Sequence, residues 1–195
     1  ARIFATAGSP EKRQYLRELG CEGGWDSRSL EFAEGIRDVT QGGGVDVVLN
    51  SLPGEGQTHS LSIVAPYGRF VEIGKKDIIE KRGLPLAPFN ENLSFFSLDL
   101  DRMMLERPAL MRYLLSDVAA LSKSGDVQPL PLESFPARDA AGAFRLLASA
   151  KHMGKVVIDY SDLDDLKASP LPRPQPQVSD GKTYLITGGL SGFGW

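Results

Sequence analysis

The chain has 195 residues, with 22 basic and 25 acidic side chains and a formal net charge of −3. This near balance argues against a nucleic-acid binder or an anionic-membrane binder that works through bulk charge. No run approaches the roughly 18 uninterrupted apolar residues of a membrane span. The single cysteine, Cys21, excludes an internal disulfide and fits a reducing cytosol. The chain begins at Ala1 without a methionine or a signal peptide, and we expect it to be cut from something longer.

Strand and helix patterns alternate along residues 1–126. Ser9 has the form of a helix N-cap, Pro10 stands at the first helical position, and Gly20 stands where this helix ends. The predicted elements are a strand at 2–6, helices at 10–19 and 30–39, a strand at 45–49, a helix at 56–64, strands at 69–73 and 93–98, and a helix at 103–122. This alternation predicts an α/β fold with a doubly wound parallel sheet of the Rossmann type.

Residues 127–160 depart from this alternation. They contain an extended piece interrupted by prolines, a helix near 137–150 and a strand near 155–158. We predict a return segment that packs on another domain and leaves apolar surface exposed when that domain is absent.

Prolines mark a boundary after this segment. Four of the 13 prolines fall within residues 170–176, a run that favours extended polyproline geometry. We therefore predict an interdomain linker over residues 161–181, with a long surface loop of a single domain as the alternative.

Residues 182–195 are predicted to begin another domain. A strand at 183–186 leads into a glycine-rich turn with the spacing T-G-x-x-x-G-x-G. Such a turn after a strand lets backbone N–H groups approach a pyrophosphate, and it resembles the opening of a short-chain dehydrogenase. The residues of the turn are Thr187, Gly188, Gly192 and Gly194.

The end of the first predicted strand has a possible phosphate site. Ser9 comes without an acidic residue before it, and Lys12 and Arg13 follow in the first helical turn. Basic groups at this position of a Rossmann domain accept the 2′-phosphate of NADP, whereas an acid binds the ribose hydroxyl of NAD. An ordinary N-cap followed by solvated charges is the alternative.

Polar residues also follow the later strands. Asn50 and Ser51 close one strand, and Gly74 and Lys75 close the next, where ligands bind in doubly wound folds. Lys75 could donate a proton if burial lowered its pKa, and a surface cation is the alternative. Asp99 and Asp101 follow the strand at 93–98, where Asp101 has the alternative role of a helix N-cap. The two histidines, His59 and His152, are isolated from a carboxylate cluster, which argues against a zinc site.

Five segments occur in an order that resembles a known family. They are Ala5–Arg13, Asp26–Phe32, Gly44–Leu52, Gly68–Lys75 and Lys151–Val157. Together they resemble the enoyl reductase domain of polyketide synthases and animal-type fatty acid synthases, a zinc-free branch of the medium-chain dehydrogenases. The resemblance covers about residues 1–160, and residues 182–195 resemble the start of the ketoreductase that follows.

The resemblance implies NADPH-dependent reduction of a trans-2-enoyl thioester carried on the phosphopantetheine of an acyl carrier protein. Lys75 and Asp101 match the pair implicated in protonation, and Asp99 takes the place of Asp101 if the alignment shifts. Ser9, Lys12 and Arg13 match the 2′-phosphate site. The further implied cofactor contacts are Asn50 and Ser51 in the cleft, Gly74, Phe95, Phe96 and Ser97 at the nicotinamide, and His152 and Lys155 near the ribose and phosphates.

The chain also departs from the family. The glycine-rich pyrophosphate loop, the first βα unit and the N-terminal substrate domain are missing, so we expect these 195 residues alone to be inactive. The implied partners are the missing N-terminal part, the neighbouring synthase domains and the carrier protein, in a cytoplasmic synthase that is a homodimer when complete. The alternatives are a stand-alone quinone-oxidoreductase-like or enoyl-CoA reductase, and a non-catalytic Rossmann module with a docking role.

Overall fold

The computed structural model describes residues 1–161, 180, 181 and 183. The contacts divide the chain into two compact units, residues 1–131 and residues 132–195. Apart from the few residues just named, the predicted linker, the strand at 183–186 and the glycine-rich turn lie outside the described residues. No helix in the described part is long and apolar enough to cross a membrane.

The first unit begins with two short βα repeats. Strands β1 and β2 pair in parallel, with Thr6 opposite Trp25 and Ala7 opposite Asp26. The elements are β1 (Thr6–Ala7), α1 (Pro10–Glu18), β2 (Trp25–Asp26) and α2 (Glu31–Val39).

A three-stranded sheet of order β3-β4-β5 follows, and all its pairs are parallel. Its elements are β3 (Val45–Asn50), α3 (Glu55–Leu61), β4 (Val64–Glu72), α4 (Lys76–Ile79), a 3₁₀ turn (Ala87–Glu91), β5 (Ser94–Ser97), α5 (Leu100–Glu106) and α6 (Pro108–Ser124). Parallel strands joined through helices confirm the predicted α/β fold class.

Three predictions of local structure were wrong. The strand expected at 2–6 is confined to Thr6–Ala7, and only single backbone bonds tie Ile3 and Ala5 to the neighbouring segment. The helix expected at 103–122 is two helices, because Pro108 disfavours the helical conformation at Arg107, whose φ is −131° and ψ is 51°. The first of these helices starts earlier than expected, because its N-cap is Asp99 and not Asp101.

Two hydrophobic clusters hold the first unit together. Helix α2 contributes Phe32, Ala33 and Ile36 to a cluster that includes Trp25 of β2 and Val45 of β3. The other cluster centres on Leu61, Val64 and Phe70, with Val48 and Phe95 packed against them. The second cluster therefore covers one face of β3, β4 and β5 and holds the strand ends in register.

The second unit is one βαβ repeat. Its elements are β6 (Leu132–Pro136), a 3₁₀ turn (Ala137–Asp139), α7 (Ala140–Ser149) and β7 (Lys155–Asp159). Strands β6 and β7 pair in parallel across α7, whose Ala143 is buried. The helix and strand expected near 137–150 and 155–158 are both present.

Candidate functional site

The carboxyl ends of β3, β4 and β5 meet at one edge of their sheet. Asn50 pairs with Glu72, and Glu72 pairs with Ser97, so the three parallel strands end side by side. In open parallel sheets this is the edge that binds ligands. The candidates that follow these strands are Ser51, Gly74, Lys75, Asp99 and Asp101.

The Lys75 ammonium lies between two carboxylates at this edge. Its Nζ is 2.6 Å from Asp99 Oδ1 and 2.7 Å from Asp101 Oδ2. The Asp99 carboxylate also accepts the backbone N–H of Arg102 at 3.0 Å, because Asp99 caps α5. Asp101 lies in the first turn of α5, and its side chain is 77% exposed against 44% for Asp99. The structure thus joins Lys75 to both of the acids that the sequence offered.

These contacts set the protonation of Lys75. Hydrogen bonds to Asp101 and then Asp99 raise the pKa of the Lys75 ammonium, because they stabilise its charged form. The backbone N–H of Arg102 and then Lys75 lower the pKa of the Asp99 carboxyl. The sequence suggested a donor whose pKa falls on burial, but the direction is the opposite, since Lys75 is 38% exposed and paired. Lys75 is therefore a charged ammonium that holds a proton at neutral pH.

Asn50 is buried, and its side chain is used inside the protein. Its Nδ2 donates to Leu52 O at 2.9 Å and to Glu72 Oε2 at 2.5 Å, while its Oδ1 accepts the N–H of Leu52 at 3.3 Å. Both amide hydrogens are thus engaged within the protein, so a ligand contact by Asn50 would use the remaining lone pair of Oδ1. Ser51 is exposed and lines a cavity of about 110 Å³ together with Gly74 and Lys75.

Lys75 also lines a larger cleft of about 610 Å³. Ser97 and Asp99 line this cleft beside apolar side chains, namely Ile78, Ile79, Leu98 and Met103. Arg102, Glu106 and Arg107 line the cleft as well, so its apolar walls stand beside three cationic and two acidic side chains. Such a cleft can bury an apolar group with charged groups at its end.

The three candidates on β5 point in different directions, because successive side chains of a strand face opposite sides of the sheet. Phe95 packs in the core against Phe70, with ring centroids 5.3 Å apart. Phe96 is 48% exposed on the opposite face. Ser97 and Phe96 thus remain accessible to a ligand, whereas Phe95 supports the sheet from behind.

A second polar site lies at the ends of β1 and β2. Ser9 Oγ caps α1 by accepting the N–H of Lys12 at 3.3 Å. Arg13 turns inward, where its Nη1 donates to Ala7 O at 2.9 Å and lies 3.3 Å from Asp26 Oδ2. The Arg13 side chain is only 18% exposed, so its charge is largely satisfied within the protein.

Arg28 is a further cation at this site. A Cβ on Gly8 would lie 3.2 Å from Arg28 Nε. Any side chain at this position would therefore crowd the guanidinium, and glycine does not. The backbone N–H of Arg28 donates to Asp26 Oδ1 at 2.9 Å, which holds the turn after β2. Because Ala7 pairs with Asp26, Gly8 and Arg28, which follow these residues, lie at the same carboxyl end of the two strands.

The second unit contains the two remaining candidates. His152 is partly buried, and its Nδ1 has no hydrogen-bond partner among the described residues. Lys155 begins β7 and is exposed.

The sequence analysis did not single out Arg28 or Glu72. The signal for Arg28 was its place after a strand, but β2 is only two residues long and its pattern was missed. The signal for Glu72 was an acidic residue inside an apolar strand of a parallel sheet, where a charge has to be compensated.

Comparison with known proteins gives the family. The zinc-binding dehydrogenase family matches residues 19–158. The chain is 46% identical over 195 residues to a phenolphthiocerol/phthiocerol polyketide synthase of Mycobacterium tuberculosis. The match takes in all of this chain and 9% of that synthase, so the chain spans a small part of the curated relatives it matches.

Solved structures show the same likeness. The nucleotide-binding subdomain of the enoyl reductase domain of PpsC from Mycobacterium tuberculosis is 45% identical, with a TM-score of 0.61, over 66% of this chain and 72% of that one. The CurK enoyl reductase is 42% identical, with a TM-score of 0.68, over 82% of this chain and 48% of that one.

The family description names zinc, and the residues of this chain can be tested against it. Within the described residues, no group of three or more His, Cys, Asp or Glu side chains could hold a metal ion. This donor set does not fit a zinc site. On the sequence match and the parallel α/β structure, the chain belongs to the zinc-binding dehydrogenase family, with the nucleotide-binding subdomain of polyketide synthase enoyl reductases as its matching relative.

Proposed function

We propose that this chain belongs to the part of a polyketide synthase that reduces a trans-2-enoyl thioester to the saturated acyl thioester. The observation that carries the proposal is the Lys75 ammonium between Asp99 and Asp101, at the ligand-binding edge of the sheet. Reduction of a carbon–carbon double bond needs a hydride and a proton. The nicotinamide cofactor supplies the hydride when it is bound, and this chain supplies the proton.

Lys75 is the proton donor in this proposal. Its ammonium remains charged at neutral pH because Asp101 and Asp99 raise its pKa. It donates a proton to the α-carbon of the thioester, and Asp99 and Asp101 hold the ammonium in place. Because Lys75 is 38% exposed, solvent restores the proton after each turnover. A positioned donor of this kind contributes roughly 10²- to 10⁴-fold to a rate.

NADPH is the proposed cofactor, and the ends of β1 and β2 hold its 2′-phosphate. Ser9, Lys12 and the N–H groups of α1 provide donors, and Arg28 adds a guanidinium beside Gly8. Arg13 acts in the same site through Asp26, which it holds. The cations around Gly8, with a helix N-terminus behind them, fit a dianion rather than a neutral ribose hydroxyl.

The remaining contacts follow from the same proposal. Gly74, Phe96 and Ser97 border the nicotinamide, and Ser51 lines the cleft. The family resemblance assigns His152 and Lys155 to the ribose and phosphates. The free Nδ1 of His152 within the described residues supports a role in ligand binding. The substrate arrives on the phosphopantetheine of an acyl carrier protein, within a cytoplasmic, metal-free reductase of a homodimeric synthase. The match over all 195 residues to a polyketide synthase supports neighbouring domains as partners.

The test is reduction of a trans-2-enoyl thioester by the full-length protein, followed through NADPH absorbance and identification of the acyl product. We expect turnover with NADPH that exceeds turnover with NADH. A protein that binds NADPH and reduces quinones but not the enoyl thioester would favour a quinone-oxidoreductase-like enzyme. A protein that binds NADPH and reduces neither would favour a docking module.

A further inference from the structure

Glu72 is a carboxylate buried at the end of β4, with 1% of its surface exposed. Its Oε2 accepts Asn50 Nδ2 at 2.5 Å and Gln57 Nε2 at 2.8 Å. Its Oε1 accepts the backbone N–H of Gly74 at 2.5 Å. In each of these three contacts the partner donates a hydrogen bond to the carboxylate. An ionised carboxylate has only acceptor atoms, so this arrangement suits it.

The same residue is tied to both parts of the Lys75 site. Its side chain holds the N–H of Gly74, which directly precedes Lys75. Its backbone carbonyl accepts the N–H of Leu98 at 2.8 Å, and Leu98 directly precedes Asp99. Glu72 thus lies at the junction of the two segments that bring the ammonium and the acid together.

Burying a carboxylate without a cation beside it costs free energy, which its hydrogen bonds have to offset. The donors around Glu72 are two amides and a backbone N–H, so polar contacts alone compensate its charge. A Cβ on Gly74 would lie 2.7 Å from Glu72 Oε1, so the close approach also needs a glycine at that position. These features describe a rigid hydrogen-bonded frame under a catalytic loop.

We propose that Glu72 is a positioning residue that fixes the backbone of Gly74 and Leu98 so that Lys75 meets Asp99. The proposal rests on the proposed function of Lys75 and adds a residue that never contacts the substrate. Glu72 is buried behind the loop, so we expect its effect on proton transfer to pass through Lys75, while the Kd for NADPH reports separately on the Gly74 backbone beside the proposed nicotinamide site.

The test is Glu72→Gln in the full-length protein, with Glu34→Gln, an exposed change in α2, as the control. The amide of the variant replaces one acceptor oxygen by a donor, so at least one of the three bonds is lost. We expect kcat to fall about 10- to 100-fold, since small displacements of a catalytic group have effects of this size. The Kd for NADPH and the melting temperature of the control should match the wild type.

A double-variant experiment separates positioning from general destabilisation. In a Lys75→Met background, Glu72→Gln should lower kcat no further, because its effect passes through the lysine. Independent multiplication of the two losses would overturn the proposal. If Glu72→Gln fails to fold, Gln57→Leu removes one donor to the same oxygen and should give a smaller loss with the same dependence on Lys75. Gln57→Leu with wild-type kcat would contradict the proposal.

Chemical labelling gives a readout that does not depend on turnover. Competitive acetylation followed by mass spectrometry compares the reactivity of Lys75 with that of Lys76 in the same sample. We expect Glu72→Gln to change the labelling rate of Lys75 and leave that of Lys76 unaltered. An unchanged Lys75 rate overturns the positioning role even if the protein reduces enoyl thioesters. A changed rate in a protein that reduces no enoyl thioester supports the positioning and contradicts only the proposed function.

Discussion

The two polar sites of the first unit occupy equivalent places, at the carboxyl ends of parallel strands, but they carry opposite charge. The end of β1 and β2 brings together three cations, Lys12, Arg13 and Arg28, and two carboxylates, Glu11 and Asp26. The end of β4 and β5 brings together one cation and two carboxylates, namely Lys75, Asp99 and Asp101. The two edges are thus alike in backbone architecture and differ in the charge of their side chains, which is why we propose different roles for them.

The two sites also differ in how their loops are held. At β1 the polar groups lie on a helix N-terminus and a turn, with the cap of Ser9 as the main constraint. At β4 the buried carboxylate of Glu72 holds the loop from beneath. The proposed 2′-phosphate site at β1 and β2, the anion site, tolerates movement of its side chains because charges attract over several ångströms. Proton transfer needs the donor within hydrogen-bond distance.

The largest expected effect comes from Lys75→Met, which removes the proposed proton donor. We expect kcat for enoyl thioester reduction to fall about 100-fold or more, because a positioned general acid contributes on that order. The Kd for NADPH should remain near the wild-type value in a fluorescence titration. Lys76→Met, the neighbouring exposed lysine, is the matched control. Normal turnover by Lys75→Met would show that another group donates the proton. The proposed division of roles, with proton transfer at the end of β4 and β5, would then be wrong.

Lys12→Ala tests the anion site. Loss of a charge-assisted contact to the 2′-phosphate should weaken NADPH binding about tenfold, while NADH binding stays unchanged because NADH lacks that phosphate. Isothermal titration with both cofactors measures the difference. Arg17→Ala, in the last turn of the same helix, controls for loss of a positive charge. Equal losses of affinity for NADPH and NADH would show that Lys12 does not contact the 2′-phosphate.

Arg28→Ala and Arg13→Ala separate the two arginines of this site. Arg28 is exposed and lies against Gly8, so its removal should weaken NADPH binding about two- to fivefold. Arg13 is engaged with Asp26 and Ala7 O, so its removal should lower the free energy of unfolding by about 1–2 kcal/mol. Titration and thermal unfolding of both variants give the comparison. A larger loss of affinity for Arg13→Ala would assign the phosphate contact to Arg13.

The smallest expected effect concerns pH. Asp101 and Asp99 raise the pKa of Lys75, so its ammonium is retained below that raised value and is lost as the pH rises through it. Asp101→Asn and Asp99→Asn should each lower the pKa of Lys75 toward the ordinary lysine range, which moves the alkaline fall in kcat to lower pH. Asparagine still caps a helix, so α5 is retained in Asp99→Asn. If kcat falls at the same alkaline pH in both variants as in the wild type, titration of Lys75 does not cause that fall.

The sequence predicted most of the regular structure because its signals are local. Ser9 and Pro10 start α1 as expected, and the apolar run after Gly44 forms β3. The two-residue strand β2 was missed because it is too short for a period to show. The break before Pro108 was missed because the apolar pattern continues on both sides of it. The family resemblance was confirmed by the match over residues 19–158.

The candidate site was predictable in its location and less so in its contacts. Residues that follow parallel strands meet at one edge whatever the tertiary packing, so Lys75 and Asp101 could be expected near each other. Their distances, and the participation of Asp99, depend on where α5 begins. The inward turn of Arg13 depends on Asp26, which is distant from β1 in the chain.

The sequence by itself determined the class of fold, the strand edge of the candidate site and the residue types gathered there, because hydrophobic period, caps and glycines act over a few neighbouring residues. Only the tertiary structure decided which charges meet. It set the pKa of Lys75 in the direction opposite to burial, turned Phe95 into the core and Phe96 to the surface, and enclosed the carboxylate of Glu72 among three donors. Ion pairing, burial and hydrogen bonding join residues that are far apart in the chain. Local sequence patterns do not predict which of these residues come into contact.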